Sequence, residues 1–170
     1  MAGTKQRHPR TLVVGIGNPI MGDDGVGIHV LRHLRESTPP QADVEFKELS
    51  IGGIKLVEEI LDYKTVFIID SIESTAPGGS INEFSPEQFS NTYHEASPHD
   101  INFITALQLY KQLQRDRIPE RIRIFTIGIQ QQWVFNDQLT PPIQAAASHL
   151  SDSLTKQIEE LMKKNSKPTR

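Results

Sequence analysis

The sequence predicts an α/β fold: a single-domain, three-layer sandwich with a mostly parallel, twisted five-stranded sheet and helices on both faces. Three observations predict it. Short apolar or alternating runs take turns with helix-period segments along the chain. The most apolar run, Val66-Phe67-Ile68-Ile69, reads as a central parallel strand covered on both faces. No internal repeat or linker interrupts the 170 residues, a length that suits one hydrophobic core. One domain is therefore expected over 1–170, with flexible tails at 1–10 and 164–170.

Thr11 to Ile16 reads as a buried first strand entering a glycine turn at Gly17. Gly25 to Glu36 follows as a helix, with Val26, Val30, Leu31 and Leu34 at helical spacing and Pro39-Pro40 closing it. Val44 to Leu49 alternates as a half-exposed second strand. Gly52-Gly53 opens a short helix over Ile54 to Leu61. Thr65 to Asp70 is the third strand, and Gly78-Gly79 leads into a fourth, Ser80 to Phe84. Ser85 to Pro98 shows no clear period and reads as a long loop, a length that favours function. Ile101 to Leu113 is a helix, and Arg121 to Ile127 a fifth strand. Thr140 caps the last helix and Pro141 occupies its first turn. Ile143, Ala147, Leu150, Leu154, Ile158 and Leu161 give it one apolar stripe. A 2-1-3-4-5 strand order would make strands one and three neighbours at the switch point. The Gly17 loop and Asp70 would then share one edge.

Composition excludes several classes. A net charge of −3 lacks the basic surplus of a nucleic-acid partner. With no cysteine there is no thiol nucleophile, thiolate zinc site or disulfide framework. The polar start MAGTKQRHPR has no apolar signal core, and no run approaches the ~20 residues of a membrane span. The expectation is a cytoplasmic protein that does not insert into a membrane.

The densest chemical signal runs from Gly15 to Gly27, with Asp23-Asp24 inside it. A glycine-rich strand-to-helix turn suggests a dinucleotide site, but Asn18-Pro19 departs from GxGxxG. Two acids at the helix start would also repel a pyrophosphate. One of them suffices to cap the following helix, which leaves the other over. Asp70 closes an apolar strand at the expected carboxyl edge. His99, in Ser97-Pro98-His99-Asp100, begins a helix whose dipole favours the neutral ring that a metal needs. His94 competes with it. His29 and His33, four apart, lack the glutamate of a metalloprotease helix and read as ordinary helix residues. No G-x-S-x-G elbow supports a serine hydrolase. Two carboxylates and one imidazole suit a divalent cation with open positions; zinc, nickel and manganese all fit such a set.

Four segments in order resemble the hydrogenase maturation proteases, which complete the large subunits of NiFe hydrogenases. They are Gly15-Ile16-Gly17-Asn18 with Asp23-Asp24-Gly25-Val26-Gly27, then Ile68-Ile69-Asp70, then Ser97-Pro98-His99, and Gly128-Ile129-Gln130. The resemblance implies an endopeptidase that removes the C-terminal extension of a NiFe hydrogenase large-subunit precursor after nickel insertion. It implies metal-binding side chains at Asp24, Asp70 and His99. Asp24 and Asp70 are the catalytic candidates, and two mechanisms stay open: the metal polarises the scissile carbonyl or activates water, or one of these carboxylates is the general base on a water. The metal it implies is the substrate's nickel, or zinc in its place. Asp24 departs from the glutamate that the family often carries, and Gln131-Gln132-Trp133 stands where Pro often follows Gly-Ile-Gln. Two other classes are distinguishable by experiment: a non-catalytic nickel-sensing module and a nucleotide-binding α/β protein. Trp133 and Phe135, following the fifth strand, are expected to dock the partner, against the alternative that both are core residues.

Overall fold

The computed structural model describes the backbone of residues 10–40, 42–50, 52–92, 98–130 and 135–165. The chain order is β1 (Thr11–Ile16), α1 (Val26–Ser37), β2 (Val44–Leu49), α2 (Gly53–Ile60), β3 (Thr65–Glu73), β4 (Ile81–Phe84), α3 (Pro86–Thr92), α4 (Pro98–Leu113), β5 (Arg121–Ile129) and α5 (Pro141–Asn165). A 3-10 turn, Gly22–Gly25, precedes α1.

The five strands form one sheet in the order β2-β1-β3-β5-β4, with β4 antiparallel to β5 and the other pairs parallel. The mostly parallel sandwich is as expected, but the 2-1-3-4-5 order is not. Connection length explains the difference. Only residues 74–80 separate β3 from β4, and a parallel crossover needs a dozen residues or more. β4 therefore runs antiparallel at the far edge, and β5 enters between it and β3 after the α3–α4 crossover. Strands β1 and β3 are neighbours, and the chain leaves them in opposite directions, so the switch point lies between them.

Alternation within the strands divides the core into two layers. Leu12, Val14, Val66, Ile68, Ile122 and Ile124 pack with α2, Phe89 and α4. Val13, Phe67, Ile69, Phe125 and Ile127 face α1 and the α5 stripe. Each large apolar side chain so buried contributes about 1.5–3 kcal/mol. Arg32 of α1 grips Glu48 of β2 at 3.1 and 2.8 Å, and the guanidinium holds that carboxyl below its ordinary range.

Three local expectations need correcting. Asp70 does not end β3; the strand continues to Glu73 because β5 pairs with it as far as Ile129. The expected loop from Ser85 to Pro98 contains helix α3. A capping box starts it: Gln88 N–H donates to Ser85 Oγ at 3.2 Å, and Ser85 N–H donates to Gln88 Oε1 at 2.8 Å. Neither Asp23 nor Asp24 caps the helix that follows, since no side chain caps the 3-10 turn or α1. Both carboxylates are engaged elsewhere.

Candidate functional site

The site begins where β1 stops. β1 pairs with β3 only as far as Gly15↔Ile69, whereas β5 follows β3 for another four residues, Asp70 to Glu73. This leaves Asp70 at a notch over the carboxyl end of β1. The Gly17–Gly25 segment folds across that notch, and glycines allow it. Gly17 has φ +138°, and a Cβ there would lie 2.1 Å from the Asp24 carbonyl oxygen. At Gly27 a Cβ would come within 2.4 Å of the carbonyl oxygens of both Ile16 and Ile69. Helix α1 thus starts in direct backbone contact with β1 and β3, which brings Asp24 to the strand ends.

Asp24 accepts a hydrogen bond from Asn18 N–H at 2.9 Å. Its other oxygen accepts from Ser71 Oγ at 3.4 Å. The backbone N–H of Ser71 donates to Asp70 Oδ1 at 2.8 Å. One serine therefore touches two acids that are 46 positions apart. Sequence reasoning missed Ser71; its only signal was its place directly after Asp70 at a strand's carboxyl end. Asp23 does something different: it accepts from Thr140 N–H at 2.7 Å and from Thr140 Oγ1 at 2.9 Å, anchoring the start of α5.

The 18–25 segment is also tied from the far side. Met21 forms a parallel bridge with Asn136, Gly22 N–H donates to Asn136 O at 2.6 Å, and Asn136 N–H donates to Ile20 O at 3.1 Å. The residues that precede the two bridge partners are both exposed and apolar, Ile20 at 56% and Phe135 at 82% exposure. Phe135 is therefore not a core residue. Trp133 lies outside the described residues.

The imidazoles divide differently. Helix α4 starts at Pro98, which places the His99 backbone in its first turn. The His99 side chain and all of His94 lie outside the described residues. His29 and His33 do not share an environment: His33 is exposed, while burial pushes the His29 ring below its ordinary pKa and leaves its Nε2 without a hydrogen-bond partner. Among the described residues, no group of three or more His, Cys, Asp or Glu side chains is placed to hold a metal ion. Asp24 and Asp70 supply two oxygen donors, a set that suits a hard or borderline divalent cation and asks for a further ligand.

The model of the hydrogenase maturation protease family matches residues 28–161. The chain belongs to this family. Among curated relatives, a Methanocaldococcus jannaschii protein with a hydrogenase maturation protease name is 31% identical over 84 residues, 47% of this chain and 53% of that protein. The hydrogenase expression/formation protein HupD of Thiocapsa roseopersicina is 22% identical over 155 residues, 84% of this chain and 68% of its own length. In fold, the chain is similar to the hydrogenase-maturating endopeptidase HybD of Escherichia coli, with a TM-score of 0.70 at 20% identity over 89% of this chain and 93% of that one. It is also similar to a hydrogenase 2 maturation peptidase from a Thaumarchaeota archaeon, at TM-score 0.58 and 26% identity over 88% and 97%.

For a hydrogenase maturation protease, the glycine motif has a structural explanation. Protein backbone, not an open cradle, fills the space beside Gly17, Gly25 and Gly27. The Asn18 N–H, which a phosphate would want, is already taken by Asp24. The nucleotide-binding alternative fails on both counts.

Proposed function

We propose that this hydrogenase maturation protease removes the C-terminal extension of a NiFe hydrogenase large-subunit precursor after nickel insertion. The observation that carries the proposal is the convergence of Asp24 and Asp70 on Ser71 at the switch-point edge of the sheet. In this reading Asp24, Asp70 and His99 are the metal-binding side chains. The metal is the substrate's own nickel, with zinc able to take its place. The donor chemistry fits: two carboxylates provide charge and oxygen ligands, and His99 at the first turn of α4 is a candidate for the neutral nitrogen.

In one mechanism, a divalent ion held by these side chains would polarise the scissile carbonyl or activate water. The chain's own contribution is positional and proton-accepting. Ser71 touches both acids, with its N–H on Asp70 and its hydroxyl on Asp24. In the alternative mechanism, a carboxylate such as Asp24 or Asp70 acts as general base on a water. Among the described residues no helix is long and apolar enough to cross a membrane; a cytoplasmic location is part of the proposal.

The test is cleavage of a nickel-loaded cognate precursor, followed by intact mass. Wild-type protein should release one C-terminal peptide. Asp70→Asn, nearly isosteric but uncharged, should fold normally and release none. Full release by a stable Asp70→Asn variant would remove Asp70 from the site.

A further inference from the structure

One face of the sheet changes chemistry between two adjacent rows. Ile68 of β3, Ile124 of β5 and Phe84 of β4 are register partners and form an apolar row beneath α3 and α4. Two residues further along β3 and β5, and two back along the antiparallel β4, the next row is Asp70, Thr126 and Asn82. Thr126 is only 2% exposed, and its Oγ1 is buried without a hydrogen-bond partner. A buried hydroxyl left in that state costs about 1–3 kcal/mol. Valine has the same branched shape and strand preference and would avoid that cost. The hydroxyl therefore calls for an explanation beyond packing.

Its neighbour provides one. Thr126 and Asp70 are paired across β5 and β3, and the inward alternation of Ile124 and Ile68 puts them on the same face. Adjacent strands lie about 4.8 Å apart, so same-face side chains at paired positions lie within side-chain reach of one another. Carboxylates that bind metals are themselves oriented by hydrogen-bond donors, and losing such a donor typically costs about 10–100-fold in affinity or activity.

We propose that Thr126 is a positioning residue for Asp70: in the engaged site its hydroxyl donates to the Asp70 carboxylate, alongside the Ser71 N–H, and fixes which oxygen faces the substrate's metal and scissile bond. The inference rests on the assignment of Asp70 under the proposed function. It goes further by assigning a role to a β5 residue outside the metal-binding set.

The test uses the full chain as wild type, Thr126→Val and Thr126→Ser, with three readouts. These are melting temperature in chelator, Ni²⁺ affinity by calorimetry, and the cleavage rate of nickel-loaded precursor. Thr126→Val should melt at the same temperature or higher, because an unpartnered donor has gone. Its Ni²⁺ affinity and kcat should fall about 10–100-fold, and Thr126→Ser should restore both. A merely structural hydroxyl would not separate stability from binding in opposite directions. Wild-type nickel affinity in Thr126→Val, or a fall in melting temperature that tracks the loss of activity, overturns the inference. If the wild type binds Ni²⁺ but leaves the precursor whole, the proposed activity fails, and the nickel titration still decides the role of Thr126. If the wild type neither binds Ni²⁺ nor cuts, Asp70 belongs to no metal site and the inference falls with it.

Discussion

Asp23 and Asp24 carry the same functional group one position apart, yet the backbone aims them at different partners. Asp23 spends both oxygens on Thr140, while Asp24 reaches the amide of Asn18 and the hydroxyl of Ser71 beside Asp70. Their substitutions should therefore fail differently. Asp23→Ala removes two hydrogen bonds that fasten the start of α5 and should cost about 1–3 kcal/mol of stability, visible as a lower denaturation midpoint. Asp24→Asn should melt near wild type and lose precursor processing. The reverse pattern, with processing surviving in Asp24→Asn and lost in a well-folded Asp23→Ala, would exchange their roles. The third ligand is tested by metal alone. His99→Ala should weaken Ni²⁺ binding in calorimetry far more than His94→Ala, because His99 sits in the first turn of α4 within the matching motif. Equal losses would mean that His94 serves as well.

At the scale of elements, the legible parts were those with a strong period. The α5 stripe, the doubly buried β3 and the glycine turn before α1 all read correctly because each is a repeated, local consequence of what it packs against. The end of β3 was not legible. Whether Asp70 terminates a strand depends on how far β5 runs beside it, and that is set by residues more than 50 positions away. Helix α3 was missed because its start signal, Ser85 with Gln88, is short and has no long apolar stripe behind it. Ser71 was illegible for a related reason: a serine is ordinary until the fold brings Asp24 to it. The bridge between Met21 and Asn136 is likewise tertiary, and it makes a prediction possible for the loop after β5. Ile20 and Phe135, both exposed, precede the bridge partners that tie the Asp24 segment to the loop after β5, and partner docking favours aromatic anchors. Phe135→Ala should leave the melting temperature unchanged and lower precursor affinity about tenfold, the loss expected when an anchor contributes ~1.4 kcal/mol. Unchanged affinity in a direct binding measurement would exclude Phe135 from the docking surface.

For the whole molecule, the question is what licenses a single cut. A peptidase with an open metal site and no restriction would damage unrelated proteins. In the proposed reading, Asp24, Asp70 and His99 leave coordination positions open, and a metal already sitting in the substrate can fill the site they make. Engagement of that metal would position the scissile bond against Asp24 and Asp70, and well-oriented positioning is worth up to about 7–11 kcal/mol of a reaction barrier. A precursor without nickel offers the same peptide but not the anchor. The expected outcome is that a nickel-loaded precursor is trimmed once and a nickel-free precursor stays whole, both measured by intact-mass spectrometry with free nickel chelated. Equally fast trimming of the nickel-free form would show that the cut site is found from peptide sequence or fold. The acid pair would then act as a general-base site that needs no metal from the substrate.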